Sequence, residues 1–350
     1  MKLMKKSTNK SKTLKIILQS LPFLSVAIVI VLYLLSFMPL STTDMTASNT
    51  IICHEAHYEL TADGKRMFCF KTLSDSLIPE NIRCNHSSET TLRTIINGCW
   101  VNSLPFIPSC RGTILTTNPD SAQIKRMENA GRNIKGMLNK ALQQKEKETK
   151  LLARKDEECR YFLKIHNVND DGFNTIAEYS EKVKTDRKET DSIIAAIKTA
   201  LKSKHLSLKR IRTYTLLYNK GEAKQCRKAC RVITKNRKQP FCLIQTTDKK
   251  TPDNAHAIYM HQWLTPDIAS GRRILVAAYP DCNLHETAAT AIKNNINEGK
   301  ISQPPYHNMP QIISPDGSPV FTGKGMVMGI NMQGKVVSPE YFGFNFKNLR

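Results

Sequence analysis

The sequence predicts an α+β protein with an N-terminal transmembrane helix, a disulfide-rich exported region containing a long helical hairpin, and a C-terminal antiparallel β-rich domain. Three observations predict this class. A run without charged residues covers residues 16–43, all ten cysteines follow that run, and helical periodicity between residues 118 and 206 is flanked by β-type segments.

The apolar run predicts a membrane-spanning segment. Residues 21–40 match the roughly 20 apolar residues that a helix needs to cross a bilayer core of about 30 Å. Six lysines and no acidic residue precede the run, and basic residues are retained on the cytoplasmic side. We therefore expect a cytoplasmic basic tail at 1–15, a transmembrane signal anchor at 16–43 in the lipid bilayer, and an extracytoplasmic remainder in a periplasm, a lumen, or on a cell or virion surface. A signal peptide cleaved near Thr46–Ser48 is the alternative, and it would export the same residues.

The cysteines predict an oxidising environment. An even number of cysteines confined to an exported region is typical of a disulfide framework. In residues 44–117, short alternating segments separated by turn signals predict a small cysteine-rich β module. The ten cysteines are Cys53, Cys69, Cys84, Cys99, Cys110, Cys159, Cys226, Cys230, Cys242 and Cys282.

Residues 118–206 predict a helical hairpin. Ile124, Met127, Ile134 and Leu138 recur at helical spacing, and a second periodic segment begins at Phe173. Two long helices joined by a short connector form an antiparallel hairpin most simply. Coiled-coil self-association through this hairpin is a further expectation.

The connector between the helices has the order of oxygen-bearing residues found in a calcium loop. Residues 167–178 carry a glycine at the sixth place and a glutamate at the twelfth, and in these features the connector resembles the EF-hand family. The resemblance implies calcium ligands at Asn167, Asn169, Asp171 and Glu178, and the sequence indicates no other cofactor. The first place is asparagine where the family has aspartate, and the eighth is Asn174 where the family has an apolar residue. An Asn/Asp/Gly turn that caps two helices is the alternative.

Most of the positive charge beyond the N-terminal tail lies in residues 198–250, which contain sixteen Lys and Arg but only two acidic residues. Clustered cations attract polyanions, so a segment at 207–250 is predicted to bind anionic lipid, a glycan or an acidic protein, and no nucleic acid is expected outside the cell. A solvated lysine-rich face is the alternative. The predicted polyanion-binding residues are Lys209, Arg210, Arg212, Arg227, Lys228, Arg231, Lys235, Arg237 and Lys238.

Residues 251–350 predict a mixed, β-rich C-terminal domain. Residues 273–279 indicate a buried strand, and Gln333–Gly334 indicates a hairpin turn. No nucleophile elbow and no zinc-protease motif is present in the sequence, so no catalytic residue is predicted. The function expected is a single-pass membrane-anchored binding or assembly protein of a cell or virion envelope. The alternative is an envelope- or glycan-modifying enzyme that uses His256, His261 or His285.

Overall fold

The computed structural model describes residues 22–28, 30–31, 34, 38–102, 111–219, 225–233, 240–260, 266–279 and 294–338. Two β-barrels account for most of the strands in this part of the chain, and a helical segment is inserted into the first barrel.

The first barrel belongs to an eight-stranded sheet that closes through two of its inner strands. Its strands are β1 (Asn49–Ala62), β2 (Lys65–Phe70), β5 (Leu92–Asn102), β6 (Thr113–Thr117), β7 (Leu206–Asn219), β8 (Gln225–Val232), β9 (Phe241–Thr246) and β10 (Ile258–Tyr259). The order is β10-β5-β6-β9-β8-β7-β1-β2, and an additional pairing of β5 with β1 closes a ring. The short strands β3 (Thr72–Leu73) and β4 (Pro79–Glu80) form a separate ribbon.

Strand β1 is the organising element of this barrel. One of its edges pairs with β7 along residues 51–62, while the other edge pairs first with β5 and then with β2. Buried Ala56, Tyr58 and Leu60 alternate with partly exposed residues, as expected for a strand with one face on the core. Three partners on one fourteen-residue strand require a long alternating segment, and residues 49–62 supply it.

Helices interrupt the first barrel between β6 and β7. The inserted helices are α2 (Ser121–Arg132), α3 (Ile134–Ile165) and α4 (Phe173–Lys202). Outside the insertion lie the short helix α1 (Thr42–Ala47) and a 3₁₀ turn (Ser88–Thr90). Leu138 of α3 and Ile193 and Ile197 of α4 pack on Tyr58 of β1 and Phe70 of β2. Tyr161 and Ile165, at the far end of the helix pair, are exposed. This end therefore projects from the barrel.

The second barrel is closed by six strands in the order β11-β12-β13-β16-β15-β14. Its strands are β11 (Arg273–Ala278), β12 (Asn295–Gln303), β13 (Tyr306–His307), β14 (Pro319–Thr322), β15 (Val327–Met332) and β16 (Lys335–Val337). Inward-facing Ile274, Val276, Val320 and Met328 fill its core. The turn at residues 333–334 joins β15 to β16, and both of its residues have positive φ, which is the geometry of a tight hairpin turn.

The two barrels share a hydrophobic cluster. Leu115 and Leu243 of the first barrel pack with Phe321 and Ile330 of the second, and Met45 of α1 lies in the same cluster. A main-chain hydrogen bond also crosses between the barrels, from the Asn97 N–H to the Asp316 carbonyl (3.1 Å). The cluster and this bond hold the barrels side by side.

The predicted fold class is therefore corrected. The chain is not a membrane anchor followed by a stalk-like hairpin and separate β units. Strands from residues 49–117 and 206–246 belong to one sheet, and the helices are an insertion into that sheet. The prediction failed because pairing between strands about 150 residues apart leaves no local periodic signal.

The predicted membrane anchor and the localisation derived from it are contradicted. Among the residues that the structure describes, no helix combines the length and the apolar character needed to cross a bilayer. Residues 22–28, 30–31 and 34 are helical, and the other residues of the predicted 21–40 span up to 37 lie outside the described part.

The predicted disulfide framework is also wrong for the cysteines that can be assessed. Cys53, Cys69, Cys84, Cys99, Cys159, Cys230 and Cys242 are all free thiols. Cys110, Cys282 and the side chain of Cys226 lie outside the described residues. Several of these thiols are buried, so they serve as small apolar core residues. The sequence pattern does not distinguish cysteines in this role from cysteines that form disulfides.

Candidate functional site: a cleft between the barrels

The site begins where two neighbouring strands diverge. β5 and β6 pair only from Gly98↔Thr116 to Trp100↔Ile114. After Thr117 the chain turns away, and the Asn118 N–H donates to the Pro240 carbonyl instead (2.7 Å). The edge of β5 before Gly98 therefore has no continuation of β6 beside it.

Backbone alternation decides which main-chain groups face this gap. In an antiparallel strand, successive residues direct their N–H and C=O groups to opposite edges. The Trp100 N–H points to the β1 side, where it donates to Ser48 (2.8 Å), whereas the Asn97 N–H points to the opposite side. Ile95 lies two residues before Asn97 on the same strand, so its N–H and C=O also face the gap.

A loop of the second barrel pairs with Asn97, the first residue before Gly98 whose main chain faces this gap. The Asp316 carbonyl accepts the Asn97 N–H, and the Asn97 carbonyl accepts the Thr116 hydroxyl (2.6 Å). Gly317 has φ +89°, and a Cβ there would lie 2.0 Å from the Asn97 carbonyl oxygen. Only glycine combines this conformation with such a close approach.

The Asn97 side chain joins the two barrels. It is fully buried, and its Oδ1 accepts hydrogen bonds from Asn49 Nδ2 (2.9 Å) and from the Tyr279 N–H after β11 (3.0 Å). A buried amide with these partners has little freedom to reorient. The position of the Asp316 loop relative to β5 is consequently well defined.

Residues Ser314–Ser318 are held from the second barrel by Asn331. Its main-chain N–H donates to the Ser318 carbonyl (2.8 Å), its carbonyl accepts the Gly317 N–H (2.9 Å), and its Oδ1 lies 2.9 Å from His307 Nε2. The Asp316 carboxylate accepts the Gln333 N–H (2.7 Å). Burial raises the pKa of Asp316, although this hydrogen bond opposes the effect.

These elements enclose a cavity of about 510 Å³, a volume typical of ligand sites. Both barrels and the start of α2 line it. No histidine or cysteine occurs among these lining residues. They are Thr94, Ile95, Ile96, Thr117, Asn118, Pro119, Ser121, Ala122, Pro240, Gln311, Pro315, Asp316, Met332, Gln333, Lys335 and Val337.

The sequence alone did not indicate this site. The available signal was a compact Ser-Pro-Asp-Gly-Ser-Pro run directly before the strand Pro319–Thr322. Such a run specifies a tight turn, but only the barrel contact shows what the turn touches.

A buried ionic cluster holds two of the predicted polyanion-binding residues. Asp120 Oδ1 accepts from Arg210 Nη2 (2.5 Å), while Oδ2 lies 3.2 Å from His54 Nε2 and 3.9 Å from Arg212 Nε. The Arg210 guanidinium also lies 4.5 Å from the centre of the Tyr58 ring. Burial alone would raise the pKa of Asp120, but His54 and Arg210 outweigh it and hold the value at about 2.

The other predicted basic residues are separated from this cluster. Lys209 and Arg227 are exposed, Lys228 pairs with Asp248 (2.7 Å), and Arg231 donates to Gln245 (2.6 Å). Lys235, Arg237 and Lys238 lie outside the described residues. The structure thus brings Arg210 and Arg212 together around an internal acid, and polyanion binding by the remaining residues stays a prediction.

The predicted calcium loop forms the exposed turn between α3 and α4. Gly172 has φ +85°, and Glu178 lies within α4. The Asp170 carboxylate accepts the Asn167 N–H (2.8 Å), a pattern that also occurs in simple capping turns. Calcium binding by Asn167, Asn169, Asp171 and Glu178 therefore remains a prediction, as does self-association of the helices.

The histidines of the alternative enzyme hypothesis are not assembled into a described site. His256 Nδ1 lies 3.5 Å from Asp44 Oδ1 at a half-exposed position. His261 and His285 lie outside the described residues.

The fold and the cleft together define a protein of two β-barrels with a ligand-sized cavity between them. No protein-family model matches this chain, and no curated protein does so either. Among solved structures, the chain is similar to the MamO protease domain from Magnetospirillum magneticum (apo form), at 10% identity and a TM-score of 0.26, covering 37% of this chain and 74% of that one. It is also similar to Deg5, at 8% identity and a TM-score of 0.32, covering 86% and 88%. At these values neither similarity assigns an activity.

The predicted envelope function is contradicted by these findings. It depended on a spanning helix, a disulfide framework and a helical stalk. The described residues contain no spanning helix, their cysteines are free, and the long helices are inserted between two strands of the first barrel.

Proposed function

We propose that this chain binds an extended peptide segment in the cleft between its barrels, by strand addition to the edge of β5. The observation that carries the proposal is the position of Ile95, whose N–H and C=O face the cavity where β6 has turned away. In the part of the chain that the structure describes, no main-chain hydrogen bond on that edge involves Ile95.

Strand addition suits this geometry because the cleft already contains one such pairing. Asp316 approaches Asn97 from the second barrel as a neighbouring strand would. Ile95 is the next residue of β5 whose main-chain groups face the same way. An incoming peptide would place its own C=O and N–H opposite Ile95. Main-chain hydrogen bonds supply affinity in this mode, and pockets for alternate side chains supply specificity.

The walls of the cleft indicate which peptides are favoured. Met332 and Val337 offer apolar surface, whereas Asp316 and Lys335 place one acid and one base at the second barrel. A largely uncharged peptide with alternating apolar residues fits this lining. We expect binding without cleavage, so the bound peptide should be recovered intact by mass spectrometry.

The test uses a fluorescein-labelled heptapeptide of alternating valine and threonine, with anisotropy as the readout. Ile95→Pro removes one N–H that faces the cleft and no bond to β1, whereas the matched control Ile95→Val retains that N–H. Loss of one hydrogen bond and the added ring should weaken binding about tenfold in Ile95→Pro, and Ile95→Val should bind within about twofold of the parent.

Singly N-methylated peptides provide a second measurement on the unmodified protein. Methylation should weaken binding strongly at alternate positions only, because alternate peptide N–H groups face β5. Equal sensitivity at every position, or no saturable binding by the peptide, would refute strand addition in this cleft.

A further inference from the structure

His57 and Glu59 lie toward the opposite end of β1, away from the cleft. They are two residues apart on this strand, so their side chains leave the same face of the sheet. Tyr58 between them points into the core and is fully buried. The His57 Nε2 and Glu59 Oε1 atoms are 3.5 Å apart.

Strand β2 adds a thiol to this pair. Glu59 is directly opposite Cys69 in the antiparallel register, and directly opposite residues project from the same face. Cys69 also forms main-chain hydrogen bonds in both directions with Arg83 (2.8 and 2.9 Å). These bonds hold the main chain of Cys69 in place, and Cys69 is fully buried with a free sulfur.

From this geometry we infer that His57, Glu59 and Cys69 form a zinc-binding site. One donor atom from each residue lies within 4.8 Å of the others. Around a tetrahedral zinc ion, bond lengths of about 2.0–2.3 Å place donor atoms roughly 3.3–3.8 Å apart, so small side-chain adjustments complete the site. A nitrogen, an oxygen and a sulfur donor together select zinc over calcium or magnesium, which prefer oxygen alone.

Of the three proposed ligands, His57 also lines a cavity of about 590 Å³, together with His86. The two imidazole rings are 4.2 Å apart, centre to centre, and His86 Nε2 lies 3.1 Å from the Thr91 hydroxyl. Three protein ligands with an open position are the pattern of zinc sites that bind water or a substrate.

The cation that pairs with Glu59 does not block the cluster. Arg66 Nη1 lies 3.6 Å from Glu59 Oε1, but the Arg66 side chain is about half exposed (48%). A solvent-exposed ion pair of this kind contributes little free energy. The guanidinium can therefore move to solvent when the carboxylate coordinates a metal.

The experiment adds Co²⁺ and then Zn²⁺ to the full chain after removal of metal. We expect one equivalent of Co²⁺ to produce a thiolate-to-cobalt charge-transfer band with tetrahedral d–d bands, and Zn²⁺ to abolish both. Cys69→Ser should remove the charge-transfer band, and His57→Gln should weaken zinc binding at least tenfold. The matched controls Cys84→Ser and His205→Gln should leave the spectrum and the affinity unchanged.

Circular dichroism checks that each variant is folded. If Cys69→Ser does not fold, then His57→Gln and Glu59→Gln decide the question, because both side chains are partly exposed. A spectrum without a thiolate band in the parent protein would overturn the inference. Zinc affinity that is unchanged in folded His57→Gln and Glu59→Gln variants would overturn it as well.

Discussion

Replacement of Asp120 by asparagine should destabilise the first barrel strongly. Asp120 is fully buried, and it is the acid around which His54, Arg210 and Arg212 are placed. Asparagine preserves the size of the side chain but removes its charge. The Arg210 side chain, which is 2% exposed, would then be a buried cation without a carboxylate partner.

The pKa of Asp120 gives the magnitude. Its depression from 3.8 to about 2 corresponds to about 2.5 kcal/mol in favour of the folded state. Because the folded value lies below the unfolded one, this stabilisation is complete above about pH 4 and is lost as the pH falls from about 4 to about 2. Breaking a buried pair from one side typically costs about 3–5 kcal/mol, so we expect a loss of about 3 kcal/mol at pH 7.

Urea unfolding followed by the fluorescence of buried Trp100 measures this loss, because Trp100 lies in the core of the first barrel. With a urea dependence of about 3 kcal/mol per molar for a protein of this size, the midpoint should fall by about 1 M. Asp75→Asn is the matched control, since Asp75 pairs with Arg126 while 91% exposed. Its midpoint should not change measurably.

A shift no larger than that of the Asp75 control would refute the idea that Asp120 stabilises the barrel through charge. The double variant Asp120→Asn with Arg210→Met gives a second measure, since it removes both charges. It should recover part of the lost stability, and a purely steric role for Asp120 predicts no such recovery.

Two further predictions follow from the same contacts. Burial raises the pKa of Asp316, so this residue favours folding below about pH 4 and loses that contribution as the pH rises through its folded pKa. In thermal melts at pH 7, the Asp316→Asn variant should therefore be at least as stable as the parent. Lower stability of the variant at pH 7 would contradict the burial argument. Seven described cysteines are free. A thiol reagent added in denaturant without reductant should therefore modify all seven, and peptide mapping can check this. Disulfides mapped among them would contradict the structure; the seven are Cys53, Cys69, Cys84, Cys99, Cys159, Cys230 and Cys242.

The sequence indicated several local elements. Periodicity identified helix within residues 118–142 and from Phe173, and the structure has helices at Ser121–Arg132, Ile134–Ile165 and Phe173–Lys202. The apolar run from Arg273 corresponds to a strand, and Gln333–Gly334 to a turn. These features depend on residues a few positions apart, so a linear pattern contains them.

The candidate site could not be predicted in the same way. The sequence interpretation grouped Arg210 and Arg212 with outward-facing cations because they lie among other basic residues. In the fold, both meet Asp120, which is 90 residues away from Arg210 and opens a helix. Charge counting along the chain cannot distinguish a solvated cation from one that is neutralised internally.

The sequence by itself indicated the helices between residues 118 and 206, the strand from Arg273 and the turn at Gln333–Gly334, because short-range periodicity and turn chemistry depend on neighbouring residues. Only the tertiary structure decided that β1 pairs with β5, β2 and β7, that Asp316 meets Asn97, and that Cys69 lies opposite Glu59. Each of these contacts depends on which distant strands bury each other's apolar faces, and that choice is made by the whole chain when the barrels close.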